Sequence, residues 1–161
     1  MKVDQFREYV VRPVLRFLEP EIPYSEAAEN LLVGTALQES RLCYLDQLDK
    51  AGRPGPAFGL FQMERATHDD HWRWIEARPE LARKIKLLMA DHPTDRMEQL
   101  RSNLAYATAM ARVHYRRRTF PLPTNAGDIA ALARIYKAHY NTPLGKATAA
   151  QFVKNYRGAG Q

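Results

Sequence analysis

Apolar residues recur at helical spacing along most of this chain, and the pattern fails over only one long stretch, from Tyr44 to Gln62. Phe6, Val10, Val14 and Phe17 form a first stripe, with Tyr9 and Leu18 beside it. Asp4 is a suitable N-cap, Pro13 predicts a kink, and Pro20 and Pro23 end the helix. Ser25 caps a second helix with Glu26 and Glu29 in its first turn, where the dipole favours acids. Its apolar face reads Ala28, Leu31, Leu32, Thr35 and Ala36, and continues onto Glu39. In the exceptional stretch Gly52, Pro54, Gly55, Pro56 and Gly59 interrupt any helix, so short extended pieces or a small hairpin are expected. Helical spacing returns over 67–90, in two pieces parted by Pro79. It then runs from Pro93 to Arg117 through Met97, Leu100, Leu104, Ala107 and Ala111, with His114 or Tyr115 closing the stripe. After Pro121 and Pro123, Asp128 caps a helix presenting Ile129, Leu132, Ala133, Tyr136 and Tyr140. Asn141, Thr142, Pro143 and Gly145 end it, and a short helix over Ala149 to Tyr156 follows. The expectation is a mainly α single domain over 1–161, with a small irregular or β-hairpin segment in the middle.

Composition excludes several classes. With 45% hydrophobic and 26% charged residues in 161, the chain matches an ordinary globular domain and not a disordered one. No repeat or low-complexity tract interrupts it. The longest apolar stretch, Leu31 to Leu37, falls far short of the ~20 residues a membrane span needs. Lys and Arg outnumber Asp and Glu by 24 to 18, a net charge of +6 that favours polyanionic partners. The lone Cys43 has no partner for an internal disulfide. Charges are spread through the first eighteen residues, so no export signal of ordinary type is read there. The expectation is a chain made in the cytoplasm; if its site of action lies outside, something else must deliver it.

Three features could carry chemistry. A carboxylate on a buried stripe, Glu39, gains a raised pKa and can donate a proton near neutrality; the plain alternative is a helix end fraying into solvent. The run Gly55 to Gln62 (Gly-Pro-Ala-Phe-Gly-Leu-Phe-Gln) lets backbone approach a ligand closely and ends on an amide suited to a cleft edge; the alternative is a glycine turn feeding a core strand. Tyr140-Asn141 offers an aromatic face for a sugar ring and an amide beside it; the alternative is a core aromatic and a C-cap.

In this order the three motifs are more telling than any one alone. Ala36-Leu37-Gln38-Glu39-Ser40, then Ala57-Phe58-Gly59-Leu60-Phe61-Gln62, then Tyr140-Asn141 ahead of Gly145, resembles the soluble lytic transglycosylase branch of the lysozyme superfamily. The wording is most similar to small phage-encoded members. That family reads Glu-Ser at a helix end, Gly-Leu-Met-Gln, and Tyr-Asn-Ala-Gly. Phe61 stands in place of the Met, and Pro143 in place of the Gly two residues after the Asn. The second departure brings in Tyr136, one turn earlier, as a further aromatic for the cleft. The resemblance implies a lysozyme-like fold and Glu39 as the sole catalytic carboxyl. It implies substrate contacts from Ser40, Gly59, Phe61, Gln62, Tyr140 and Asn141, with Tyr136 beside them. It implies a monomer acting on peptidoglycan glycan strands without cofactor or metal.

One carboxyl leaves the usual two-carboxylate scheme incomplete. Either the substrate's acetamido group and its own hydroxyl complete a non-hydrolytic cleavage, or a second carboxylate orients water. Asp46, Asp49 and Glu64 are the candidates for the latter, Glu64 foremost because it follows Gln62 by two residues. His68 and His71 flank Asp69-Asp70, but nothing else has metal-ligand spacing, so surface or capping roles are expected. Trp72 and Trp74 read as core or cleft-wall aromatics, and His114 to Arg118 as a basic helix end with a phosphate- or wall-binding alternative. The rival reading is a non-catalytic basic protein, a nucleic-acid binder or a phage structural subunit. It uses the charge but leaves Glu39-Ser40 and Gly59 to Gln62 unexplained.

Overall fold

Helix α1, over residues 3–17, shows how one imino acid redirects a whole stripe. A computed structural model describes residues 1–48, 51–92, 95–141 and 145–159; Asp49 and Pro143 lie outside the described residues. Val3–Phe6 and Arg12–Phe17 are α-helical, and the segment between them, Arg7–Val11, is a π turn. Pro13 has no N–H to give the fourth carbonyl before it. The Arg12 N–H reaches back five residues to Arg7, and the chain runs on without a break. The inserted residue shifts the buried face to Phe6, Val11, Val14, Leu15 and Leu18. Tyr9 and Phe17 are therefore exposed, against the sequence expectation. Asp4 sits in the first turn instead of capping it, since the N-cap position is Lys2.

Helix α2, Glu26–Ser40, is the central element. Ser25 Oγ accepts the Ala28 N–H at 3.1 Å, as its cap role requires. Residues on nearly every face of α2 are buried, which makes it a core helix and not an amphipathic surface one. Gly34 permits the closest contact. A Cβ there would lie 2.1 Å from Phe152 Cζ, so the aromatic ring of the last helix rests directly on the backbone.

After α2 the chain forms an antiparallel sheet of β1 (Asp46–Leu48), β2 (Pro54–Phe58) and β3 (Met63–Glu64), in that order. Phe58 pairs with Asp46 on one side and Met63 on the other. Helices α3 (Arg65–Glu76) and α4 (Pro79–Leu87) follow, with Pro79 at the favoured first position of α4. The long stripe from Pro93 to Arg117 is two helices, α5 (Arg96–Ser102) and α6 (Leu104–Arg116). Asn103 divides them. Its Oδ1 accepts the Tyr106 N–H at 3.0 Å and its Nδ2 donates to the Leu88 carbonyl at 2.7 Å. Helix α7 (Ile129–Tyr136) passes into a second π turn, Lys137–Asn141, and α8 (Ala149–Gly158) closes the chain behind a Thr148–Gln151 capping box.

The described residues thus form eight helices and one small sheet around a continuous apolar core, a mainly α architecture. No helix among them is long and apolar enough to cross a membrane.

Candidate active site

Helix α2 carries two carboxyls into the interior, and their surroundings set them apart. Glu29 is almost fully buried. Burial pushes its pKa up, but Arg12, Arg7 and the Tyr24 hydroxyl outweigh that and hold it below the ordinary value. It is a salt-bridged structural anchor between α1 and α2. Glu39 is half-buried at the other end of α2, and no cation pairs with it among the described residues. Its Oε1 accepts a 2.6 Å hydrogen bond from the Tyr136 hydroxyl. Burial raises its pKa from 4.5 to about 7, with the Tyr136 bond pulling slightly the other way. Glu39 is the carboxyl poised to exchange a proton near neutral pH.

The helix ends just after Glu39 without a glycine. Arg41 and Leu42 both take left-handed backbone conformations, at φ 53° and 55°. Ser40 makes this possible: its Oγ donates to the Ala36 carbonyl at 3.0 Å and accepts the Leu42 N–H at 3.3 Å. Ser40 is buried with both capacities committed, so the structure gives it a backbone role and no cleft face. The same turn directs the chain into β1.

Glu39 opens onto a cavity of about 370 Å³ whose other walls are Tyr44, Asp46, Gln47, Leu48 and Gln62. Tyr44 and Leu48 are exposed, an apolar rim on a polar floor. Asp46 is held by Arg101, whose Nε donates to its Oδ1 at 2.5 Å. Gln62 also borders a second cavity of about 300 Å³, with Glu64, Thr67, His114, Tyr140 and Asn141. The two cavities share Gln62 as a lining residue. Glu64 is exposed and belongs to the second, away from the one that Glu39 lines.

The chain finds no match among family models, curated proteins or solved structures. Function must be read from the site itself.

The glycine run reads differently in three dimensions. Gly59 has φ +73°, and a Cβ there would fall 1.9 Å from the Leu100 carbonyl oxygen. The close approach is to α5 and not to a ligand. Its carbonyl accepts both the Gln62 N–H and the Gln62 Nε2, at 3.0 and 2.8 Å, which fixes the amide at the cleft edge in a left-handed turn. Phe61 is buried against Phe6, so its ring faces the core; its carbonyl accepts the Tyr140 hydroxyl at 2.7 Å. Tyr136 is fully buried and touches the cleft only through its hydroxyl on Glu39. Asn141 Oδ1 accepts from Lys137 at 2.9 Å.

Of the residues expected at the site, Glu39 and Gln62 share one cavity, Gln62, Glu64, Tyr140 and Asn141 share the other, and Tyr136 underlies the first. Ser40, Gly59 and Phe61 act through backbone and packing. Sequence reasoning missed Tyr44 and Leu48, because nothing in a broken pattern marks which apolar residues stay outside. It also missed the pairing of His71 and His114. The His114 Nε2–H donates to the His139 carbonyl at 2.7 Å, leaving its Nδ1 to accept from His71 Nε2 at 3.0 Å. Burial, followed by neighbouring positive groups, lowers His71 to about 3; burial lowers His114 to about 4, so the histidine pair is neutral. His68 is bonded to the Tyr106 hydroxyl and Asp69.

The raised pKa of Glu39 has a consequence for stability. Between pH 4.5 and about 7 the folded protein binds a proton that the unfolded chain has released. The stability linked to this group is fully present below 4.5 and is lost as pH rises through 7. Glu39→Gln carries no such linkage. Its stability should equal that of the wild type at about pH 4 and exceed it by up to about 3 kcal/mol above pH 8. Urea unfolding at both pH values measures the gap, and a gap that does not change with pH would contradict a desolvated carboxyl.

Proposed function

We propose that this protein is a muramidase that cleaves the bond between N-acetylmuramic acid and N-acetylglucosamine in peptidoglycan, as a lytic transglycosylase with Glu39 as its single catalytic carboxyl. One observation carries this reading: a half-buried glutamic acid with no cation partner, held by a tyrosine hydroxyl at the wall of a cleft, with a pKa near 7. A group titrating there can give a proton and take one back in the same cycle.

In the first step Glu39 donates its proton to the glycosidic oxygen, and the bond from that oxygen to the anomeric carbon breaks. The substrate's acetamido oxygen supplies electrons to the anomeric carbon. In the second step the Glu39 carboxylate takes the proton from a hydroxyl of the same sugar, whose oxygen bonds to the anomeric carbon as the acetamido oxygen leaves it, closing an anhydro ring. Glu39 returns to its acid form and no water is consumed. The tethered hydroxyl has a large advantage in effective concentration over free water. The exposed Tyr44 and Leu48 suit the apolar faces of sugar rings, and the Gln62 amide suits their polar substituents. The +6 charge suits an anionic wall.

A hydrolytic reading has its own observation, since Asp46 lines the same cavity as Glu39. Its bond to Arg101 disfavours it as a base. Glu64, the foremost candidate from sequence, is placed beyond Gln62 and is weaker still on geometry. Asp46→Asn is therefore expected to retain wall-clearing activity within about fivefold, scored by loss of turbidity of purified peptidoglycan. A fall of about 10²-fold or more, the usual cost of losing a general base, would favour the hydrolase. Gel retardation of DNA without any clearing of peptidoglycan would replace both with the nucleic-acid-binding reading.

A further inference from the structure

At the opposite end of α2 from Glu39, roughly 20 Å away by helix rise, lies a cavity built for a different purpose. Arg112, on α6, is only 6% exposed, yet no carboxylate pairs with it among the described residues. One guanidinium nitrogen donates to the Pro23 carbonyl at 3.1 Å, and its buried Nε has no hydrogen-bond partner. Burial, with Arg116 nearby, lowers its pKa to about 10, which leaves it charged at neutral pH. An uncompensated buried charge is costly, and a fold that keeps one gains by supplying a counter-ion.

The surroundings supply a place for that counter-ion. Arg112 lines a cavity of about 330 Å³ together with Arg116, Arg118, Ser25, Tyr115 and Phe120, and no acid lines it among the described residues. Arg116 and Arg118 are exposed and make no ion pair among the described residues. Ser25, the N-cap of α2, lines the cavity too, and neither Glu26 nor Glu29 of the first turn does. Three guanidinium groups facing no acid can surround an oxyanion from several sides, and the planar fork suits the tetrahedral oxygens of a phosphate better than the two of a carboxylate. Tyr115 and Phe120 would flank the carbon part of a phosphate ester.

We propose that this cavity is a binding site for a phosphate group, with Arg112 as its buried anchor and Arg116 and Arg118 as its rim. It is independent of the cleft at Glu39 and stands whether or not that cleft cleaves peptidoglycan. The phosphate can be terminal or can belong to a diester in an anionic polymer.

Thermal unfolding and calorimetric titration of the full chain test this, using inorganic phosphate, glycerophosphoglycerol as the diester, and acetate at matched ionic strength. At ten times its Kd, phosphate or the diester should raise Tm by about 3–5 °C, while acetate does not. Tighter binding of inorganic phosphate points to a terminal group and tighter binding of the diester to a polymer; either supports the site. The rim variant Arg116→Ser with Arg118→Ser should weaken binding by about tenfold or more, and Arg112→Met should abolish it. If Arg112→Met does not fold, the rim variant, changed only at exposed positions, carries the test. No response to either phosphate probe, an equal response to acetate, or undiminished binding in the rim variant would overturn the proposal.

Discussion

Glu39→Gln should lose wall-degrading activity by about 10²–10⁴-fold while keeping its fold and its affinity for glycan. The amide is nearly the same size as the acid and can still accept the Tyr136 hydrogen bond at the same place. Only the titrating proton is gone, so both proton transfers fail together. Burial of the neutral amide also costs less than burial of the carboxylate, so a loss of activity cannot be put down to unfolding. The stability measurement above pH 7 gives an internal control, because there the variant should be the more stable protein. Turbidity clearing and pelleting with insoluble peptidoglycan separate the two properties. Activity within threefold of wild type would remove Glu39 from the chemistry.

Gly59→Ala should be the most damaging single methyl in the middle of the chain. Two independent costs meet there. The backbone is left-handed at φ +73°, and the new Cβ would lie 1.9 Å from a backbone carbonyl oxygen that cannot rotate away. Strain at such a position costs about 1–3 kcal/mol and overpacking about as much again, so a loss of roughly 3–5 kcal/mol is expected. For a domain of this size that corresponds to a Tm lower by roughly 10 °C. Gly59 also donates its N–H to the Leu45 carbonyl at 2.8 Å and holds Gln62 by two hydrogen bonds. Activity should therefore fall even at temperatures where the variant remains folded. Gly52→Ala is the comparison: φ is +77° there too, but a Cβ would meet nothing within 4 Å, so only the strain applies. Equal losses at the two sites would mean that the contact with Leu100 is not tight.

Sequence periodicity located Glu39 for a reason that the fold partly revises. The stripe from Ala28 to Ala36 does continue to Glu39, but α2 is buried on nearly every face, so burial alone does not single out one position. What distinguishes Glu39 from Glu29 is the absence of cations, and those cations come from Arg7 and Arg12 on α1. No local pattern announces that pairing. The π turn before Pro13 was equally hidden, because a periodic stripe assumes the spacing that the turn changes. Asn103 ended a helix using only its own side chain, with no glycine or proline to mark the place. By contrast, the breakers between Tyr44 and Gln62 were legible because each acts through local backbone preference. They led correctly to a short antiparallel sheet. The reason for Gly59 was not legible, since Leu100 is distant in the sequence and reaches it only in the folded state. Tyr136, brought in only because Pro143 displaced a glycine, is the residue whose hydroxyl meets Glu39.

Mass spectrometry of the fragments released from purified peptidoglycan tests the central claim most directly. With wild-type protein the released disaccharide-peptides should end in anhydro-muramic acid, each lighter by one water than the hydrolysis product, and Glu39→Gln should release none. Fragments heavier by one water would overturn the transglycosylase assignment in favour of a hydrolase. No fragments from the wild-type protein would contradict the muramidase reading itself.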